Sequence, residues 1–279
     1  MKFMKYTINA IIAAAACALF ACCPCGKTQK APRKIAVQMW TTHDYTLEES
    51  IEGLSKLGIK YIETTPIQKI SAKFGKALFN HNATPEQREF VKDLLKKHNM
   101  EICSIYCRPP VDEADLRKLM EFGKFFGVNL YVSESREDML GVWEKLCKEY
   151  GAKMAIHCHQ RGSNTPYWDP KVVRGIVDKY ENIGFCAETG AWSRSGVDPV
   201  YALKVAEGKI FALHLKDQKT FGDIKSPGVN YGTGALDMKG ILAELDRQKF
   251  DGCFIIEQGD DQKNAFEVVR ADAEYLKNN

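Results

Sequence analysis

The chain has 279 residues, of which 45% are hydrophobic and 27% are charged, a composition that excludes a low-complexity or intrinsically disordered protein. Lysine and arginine (39) outnumber aspartate and glutamate (36) by three, and two of the basic residues, Lys2 and Lys5, belong to an N-terminal leader. The rest of the chain carries a net charge of roughly +1 and has no basic face, so we expect no nucleic-acid partner and do not favour a DNA-repair endonuclease.

The leader has the pattern of an export signal. After Lys2 and Lys5, the apolar stretch 8–20 is interrupted only by Asn9 and is too short to span a bilayer as a permanent helix. It runs into LFACC, which resembles a bacterial lipobox and implies cleavage before Cys22 and acylation of its thiol. We therefore expect a signal peptide (1–21), a lipidated tether (22–33) and a protein anchored to the bacterial membrane on its periplasmic or cell-surface side. Ordinary signal cleavage is the alternative.

Past residue 34, short apolar runs typical of strands alternate with longer amphipathic segments typical of helices. Strands are predicted at 34–40, 60–64, 101–106, 128–133, 153–158, 183–188, 210–215 and 253–257. Helices are predicted at 46–58, 84–99, 112–127, 137–150, 169–180, 198–207, 237–247 and 262–277, three of them with caps at Thr46, Thr84 and Asp112.

Strict alternation of strands and helices predicts a parallel sheet of the α/β class. Eight strand–helix units in about 245 residues favour a closed (β/α)8 TIM barrel that forms a single domain over residues 34–279. A doubly wound open sheet is the alternative, but no glycine-rich turn follows the first strand.

Ionisable residues stand at the carboxyl ends of the last four predicted strands, which is where TIM barrels carry their active sites. His157 ends strand five, Glu188 strand six, His214 strand seven and Glu257 strand eight. Buried together without a cation, these groups would suffer desolvation and mutual repulsion. We therefore predict one divalent metal ion held by these four residues, with Mn²⁺, Zn²⁺ or Co²⁺ preferred and Mg²⁺ as a further option.

The two-residue period of a strand adds further candidates at the same end of the barrel. His159 shares a face with His157, and Lys216 shares a face with His214. His159 is interpreted as a base, a substrate contact, a partner of a metal ligand or a structural residue. Glu63, at the end of strand two, either binds substrate or pairs with a lysine. Aromatic and basic residues that would form a wall for a sugar are Trp40, Tyr106, Arg108 and Trp192.

From about residue 35 to its end, the chain resembles the xylose isomerase-like TIM barrels of the sugar phosphate isomerase/epimerase family. The resemblance rests on five segments in this order: IHCHQ, CAETGAWSRSGVDPVYAL, HLKD, YGTGALD and FIIEQ. The resemblance implies a metal at His157, Glu188, His214 and Glu257 and a substrate contact from Lys216. The chain departs from the family pattern at His157, where ketose 3-epimerases carry Glu, and at Ala191, where exported relatives carry His.

These observations predict an exported metal-dependent enzyme that acts on a small sugar or keto-sugar by proton abstraction beside a carbonyl. Glu257, Glu188 and His159 are the candidate bases, and Lys216 would stabilise the enediolate oxygen. Isomerisation or epimerisation is the first expectation. A hydratase or lyase acting on a 3-keto sugar, and a carbohydrate-binding lipoprotein without catalysis, are the alternatives.

Overall fold

The computed structural model describes residues 32–163, 165–259 and 263–279. The predicted signal peptide and Cys22 lie outside the described residues, as does the tether up to residue 31. In the part of the chain that is described, no helix has the length and apolar character needed to cross a membrane.

Eight of the described strands form one closed parallel barrel, which confirms the predicted TIM-barrel fold, and the short strands Asp217–Gln218 and Gly228–Val229 form a separate antiparallel pair. Lys34 in the first strand pairs with Cys253 in the last, and this pairing closes the ring. The barrel strands are β1 (Lys34–Gln38), β2 (Tyr61–Thr64), β3 (Glu101–Tyr106), β4 (Leu130–Ser133), β5 (Lys153–His157), β6 (Ile183–Glu188), β7 (Ile210–Leu215) and β8 (Cys253–Ile256).

Helices follow the strands and cover the outside of the barrel. They are α1 (Leu47–Lys56), α2 (Pro85–Lys97), α3 (Glu113–Phe126), α4 (Leu140–Tyr150), α5 (Pro170–Val177), α6 (Thr189–Arg194), α7 (Pro199–Val205), α8 (Met238–Arg247) and α9 (Ala265–Asn278). The Thr46 and Thr84 side chains complete capping boxes, and Asp112 caps α3, as predicted. Helix α6 was not predicted, and it begins directly at the end of β6.

The alternation of side chains along the strands builds two apolar layers. Residues that point outward, such as Ile156 and Leu213, join the large core between the strands and the helices. A small cluster formed by Val132, Ala155, Cys186 and Ala212 packs by itself, on the opposite face of the same strands. Each of these four residues lies two positions before a polar or charged residue, so the cluster forms a floor beneath the carboxyl ends of β4 to β7.

A buried aspartate organises the loop that follows β7. Asp217 accepts hydrogen bonds from the backbone N–H groups of Gly232 (2.9 Å), Gly234 (3.0 Å) and Leu236 (3.2 Å). A Cβ atom at Gly234 would lie 2.3 Å from the Asp217 carboxylate, so this turn requires glycine. The backbone N–H groups of segment 232–234 therefore bind the Asp217 carboxylate.

Candidate metal centre

Three side chains from the last four strands meet at the carboxyl end of the barrel. His157 at the end of β5, His214 in β7 and Glu257 just after β8 each offer one ligand atom, and these atoms lie within 4.8 Å of one another. The exposed fractions of the three residues are 6%, 0% and 7%. Two imidazoles and a carboxylate thus converge in a region that bulk water hardly reaches.

A carboxylate from the far side of the barrel holds the His214 ring. His214 Nε2 lies 2.6 Å from Glu63 Oε1, and the Ser104 hydroxyl donates to Glu63 Oε2 at 2.6 Å. An ionised carboxylate only accepts hydrogen bonds, so Nε2 carries a hydrogen, and Nδ1 is the ring atom that would ligate a cation. Glu63 is fully buried, with both oxygens engaged. This corrects the expectation that Glu63 binds substrate or pairs with a lysine.

His157 is held in the same way by Glu134, a residue that the sequence analysis did not single out. The Nδ1 atom of His157 lies 3.0 Å from Glu134 Oε1, so Nε2 presents its lone pair to the centre. The Tyr106 hydroxyl donates to the same Glu134 oxygen at 3.1 Å, and the Tyr106 ring meets the His157 ring edge-on with centroids 5.2 Å apart. Glu134 follows β4 directly, in the position that Glu257 has after β8.

The three convergent atoms have no hydrogen-bond partner among the described residues. They are His157 Nε2, His214 Nδ1 and Glu257 Oε2, and all three are buried. His214 Nδ1 and Glu257 Oε2 are 2.8 Å apart without hydrogen-bond geometry. Buried polar atoms left in this state cost free energy, and three ligand atoms this close together fit a cation with two imidazole ligands and one carboxylate ligand.

Glu188 lies outside this group of three, and its expected place as fourth ligand stays a prediction. Its two carboxylate oxygens accept the backbone N–H groups of Gly190 and Ala191, each at 3.1 Å, and so cap the first turn of α6. Lys216 lies between the acidic residues, with its ammonium 3.0 Å from Glu257 Oε1 and 3.7 Å from Glu188 Oε1.

The charges of the centre set the protonation of its members. Burial alone would raise the pKa of Glu257, but Lys216 and His214 hold that pKa well below its usual range. Burial opposes protonation of His214, yet the neighbouring Cys186, Glu63 and Glu257 raise its pKa well above the ordinary value, so the ring binds a proton at Nδ1 that a metal ion would have to displace. Burial raises the pKa of Cys186 to about 12, so that thiol is neutral. The raised pKa of His214 is therefore caused by the two carboxylates, Glu63 and Glu257. Glu257 is therefore ionised and suited to ligation.

The other predicted residues fall into different environments. His159 is half-buried beside His157, with ring centroids 5.8 Å apart, and its buried Nδ1 has no hydrogen-bond partner in the described part of the chain. Trp40 is 39% exposed and stacks on His43 at 4.2 Å, next to the loop after β8. Arg108 is exposed and lines a cavity together with Tyr106.

Trp192 does not line the mouth of the barrel, which corrects that prediction. Its side chain is fully buried in the large apolar core. The cause is the short helix α6, which starts at the end of β6 and carries Trp192 into the packing between strands and helices instead of leaving it on an open loop.

Sequence and structure comparisons place this barrel in a family. The chain belongs to the xylose isomerase-like TIM barrel family, whose sequence pattern matches residues 51–279. No curated protein matches the chain.

Solved structures share the fold. An uncharacterized protein from Parabacteroides distasonis is 27% identical, with a TM-score of 0.70 over 89% of this chain and 99% of that chain. A sugar phosphate isomerase/epimerase from the same organism is 16% identical, with a TM-score of 0.65 over 90% and 97%. The IolI protein, solved with a zinc atom, is 20% identical, with a TM-score of 0.67 over 86% and 95%. Neighbours in fold thus carry names of isomerase and epimerase type, and one is named as a dehydratase.

Proposed function

We propose that this protein is a divalent-metal-dependent enzyme of the isomerase or epimerase type, which removes a proton from the carbon beside a carbonyl group of a sugar or keto-sugar. The observation that carries the proposal is the set of three buried, unpartnered ligand atoms on His157, His214 and Glu257. A divalent cation bound there would polarise the carbonyl and acidify the neighbouring C–H bond. This ligand set suits Mn²⁺, Zn²⁺ or Co²⁺, with Mg²⁺ as the harder alternative.

The charge around the site supports a cation. The carboxylates of Glu63, Glu134, Glu188 and Glu257 surround the two imidazoles, and Lys216 is the cation in contact with Glu188 and Glu257. Buried carboxylates without compensating charge are costly. A divalent ion would offset much of that cost. In the same fold, the IolI structure contains zinc and a Mycobacterium smegmatis barrel was solved in complex with magnesium.

The protonation states suggest a division of roles. Glu257 is a weak base because Lys216 and His214 lower its pKa, so we assign it to ligation. His159 has a free ring nitrogen two residues beyond a ligand, and we assign proton transfer to it. The Lys216 ammonium, next to Glu257, would donate a hydrogen bond to the oxygen on which negative charge develops. Trp40 is 39% exposed, and we assign it to contact with the sugar ring on the side of the indole away from His43.

One feature favours a second candidate, elimination or hydration of a 3-keto sugar on the same site. A two-base epimerisation needs an acid/base group on each face of the reacting carbon, one to remove the proton and one to return it. Here His157 stands where ketose 3-epimerases carry Glu, and Glu188 caps α6, so His159 is the side chain left for proton transfer. A single base suffices for proton abstraction followed by departure of a neighbouring group.

Metal analysis of the purified protein and hydrogen–deuterium exchange across a panel of keto-sugars test the proposal. Wild-type protein should contain about one equivalent of metal and exchange a substrate proton with D₂O. His159→Gln should keep the metal and lose exchange, whereas Glu257→Gln should lose both. His98→Gln is the control, because His98 bonds to Ser55 at the end of α2, away from the centre.

The outcomes separate the candidates. Exchange with release of water or of a glycosidic substituent would favour elimination over isomerisation. Sugar binding without exchange or metal dependence would favour a carbohydrate-binding protein without catalysis. Full exchange by Glu257→Gln would refute the assignment of the metal centre.

We also propose that the protein is exported and anchored through a lipid on Cys22. The support is the leader sequence alone, with its basic start, its short apolar stretch and its LFACC segment. Mass spectrometry of the membrane fraction should find a chain that begins at an acylated Cys22. Cys22→Ser should release the protein from the membrane, and an unmodified Cys22 in the wild type would refute the anchor.

A further inference from the structure

A cavity opens next to the metal centre, beyond the ends of β2 and β3. Its volume is about 210 Å³, and its walls come from β3, the segment before α2 and the inner face of α3. Leu78, Phe79, Ile105, Leu119 and Phe122 form an apolar base. A buried cavity of about 150 Å³ lined by apolar side chains is enough to hold benzene. This cavity therefore has the size and the chemistry to take one aromatic ring.

Tyr106 connects the cavity to the centre. It lines the cavity, while its hydroxyl binds Glu134 at 3.1 Å and its ring touches the His157 ring. Thr64, another lining residue, directly follows Glu63, which holds His214. The Tyr106 side chain is thus the wall between the cavity and His157, and a substrate that occupies both must pass over the rim at the carboxyl ends of β2 and β3.

Arg108 gives the cavity a charge preference. Its side chain is exposed and makes no hydrogen bond or ion pair with the residues that the structure describes. Pro109 and Pro110 follow it and restrict the backbone at this point. The other basic group of the lining, His81, is already paired with Asp115 at 2.9 Å. An apolar cavity with an unpaired guanidinium suits an aromatic ring that bears an anionic substituent.

We propose that this cavity is a subsite for an aromatic acid group carried by the substrate, such as the phenolic-acid portion of a glycoside. The proposal rests on the function proposed above, because it places the sugar portion at the metal centre. Leu78, Phe79 and Phe122 contact the ring, and Arg108 binds the anionic substituent. The subsite thereby selects substituted sugars over free ones.

Fragment binding tests the subsite without requiring turnover. Benzoate and benzyl alcohol should each bind to the wild-type protein with a Kd on the order of 1 mM. Ligand-detected NMR measures this binding. Leu78→Trp, which fills the cavity from its partly exposed wall, should weaken both fragments about tenfold. Arg108→Gln should weaken benzoate about tenfold and leave benzyl alcohol unchanged. Val172→Trp, at an equally exposed position on α5, should change neither.

Two further arms separate the subsite from the metal chemistry. Benzoate should bind equally well to protein treated with EDTA; loss of binding would mean that the metal holds its carboxylate, and would overturn the subsite. In metal-loaded protein, 4-carboxyphenyl glycosides should bind at least about tenfold more tightly than the matching methyl glycosides, and Leu78→Trp should abolish the difference. Equal affinities would overturn the substrate class even if proton exchange is observed. Fragments that bind as tightly to Leu78→Trp as to wild type would overturn the site itself.

Discussion

Glu134 should control metal affinity without touching the metal. It is ionised, because its contacts with His157 lower its pKa despite burial, and it accepts the His157 Nδ1–H at 3.0 Å. Replacing it with Gln keeps an acceptor but removes the charge that makes the imidazole a stronger ligand. The difference between a charged and a neutral hydrogen bond is about 1 to 2 kcal/mol, so Glu134→Gln should raise the Kd of the metal about tenfold. Glu134→Ala, which removes the bond, should raise it about a hundredfold.

Competition with a chromophoric chelator measures these affinities directly. Glu137→Gln is the matched control, because Glu137 is exposed three residues further along the same segment and should leave the Kd unchanged. Tyr106→Phe removes the second partner of Glu134 and should have a smaller effect than either Glu134 variant. Wild-type metal affinity in both Glu134 variants would refute the conclusion that this carboxylate orients His157 for ligation.

Three further predictions concern Glu63, removal of the metal and the buried Asp272. Glu63→Gln should weaken metal binding more than Glu134→Gln in the same chelator assay, because Glu63 is fully buried and its bond to His214 is the shorter, at 2.6 Å. Chelation should lower the unfolding free energy, measured in urea, by about 2.7 kcal/mol relative to protein with metal at a hundred times its Kd. Burial raises the pKa of Asp272 to about 6, above its ordinary 3.8. Asp272 in the folded protein therefore takes up a proton between pH 7 and 5 that it does not take up in the unfolded chain, and this group adds a gain of roughly 1 kcal/mol of stability on acidification. Asp272→Asn should remove that gain in urea titrations at the two pH values, and an unchanged pH dependence would contradict the assignment.

The fold could be predicted because its signals are local and repeated. Each barrel strand is a short apolar run, and caps such as Thr46 and Thr84 mark where helices begin. The strand period also predicted that His157 and His214 point into the barrel. Their approach to Glu257 followed from the rule that the carboxyl ends of parallel strands meet at one end of a barrel.

The partners of these residues could not be predicted, because they depend on contacts across the ring. Glu63 reaches His214 over a sequence separation of 151 residues, and no local pattern distinguishes it from a surface glutamate. Glu134 follows β4 just as Glu257 follows β8, but the apolar run in the sequence ends at Ser133, so the strand pattern does not include Glu134. The alternation of a strand predicts which face a side chain occupies, and it leaves the partner open.

Helix α6 accounts for the positions of Glu188 and Trp192. Its segment, TGAWSR, is too short to show a helical period, so the sequence predicted no helix there. Glu188 is the N-cap of this helix, and its carboxylate accepts the N–H groups of the first turn, outside the group formed by the three metal ligands. The same turn buries Trp192.

The tie between Glu63 on β2 and His214 on β7 makes the centre a product of ring closure. A fragment ending after β4 would retain both supporting glutamates and none of the three ligands, whereas one starting at β5 would have the ligands without their supports. Ion uptake during refolding should therefore lag behind the formation of secondary structure and coincide with the joining of the two halves. Neither half of the chain alone should bind the metal ion as the complete barrel does.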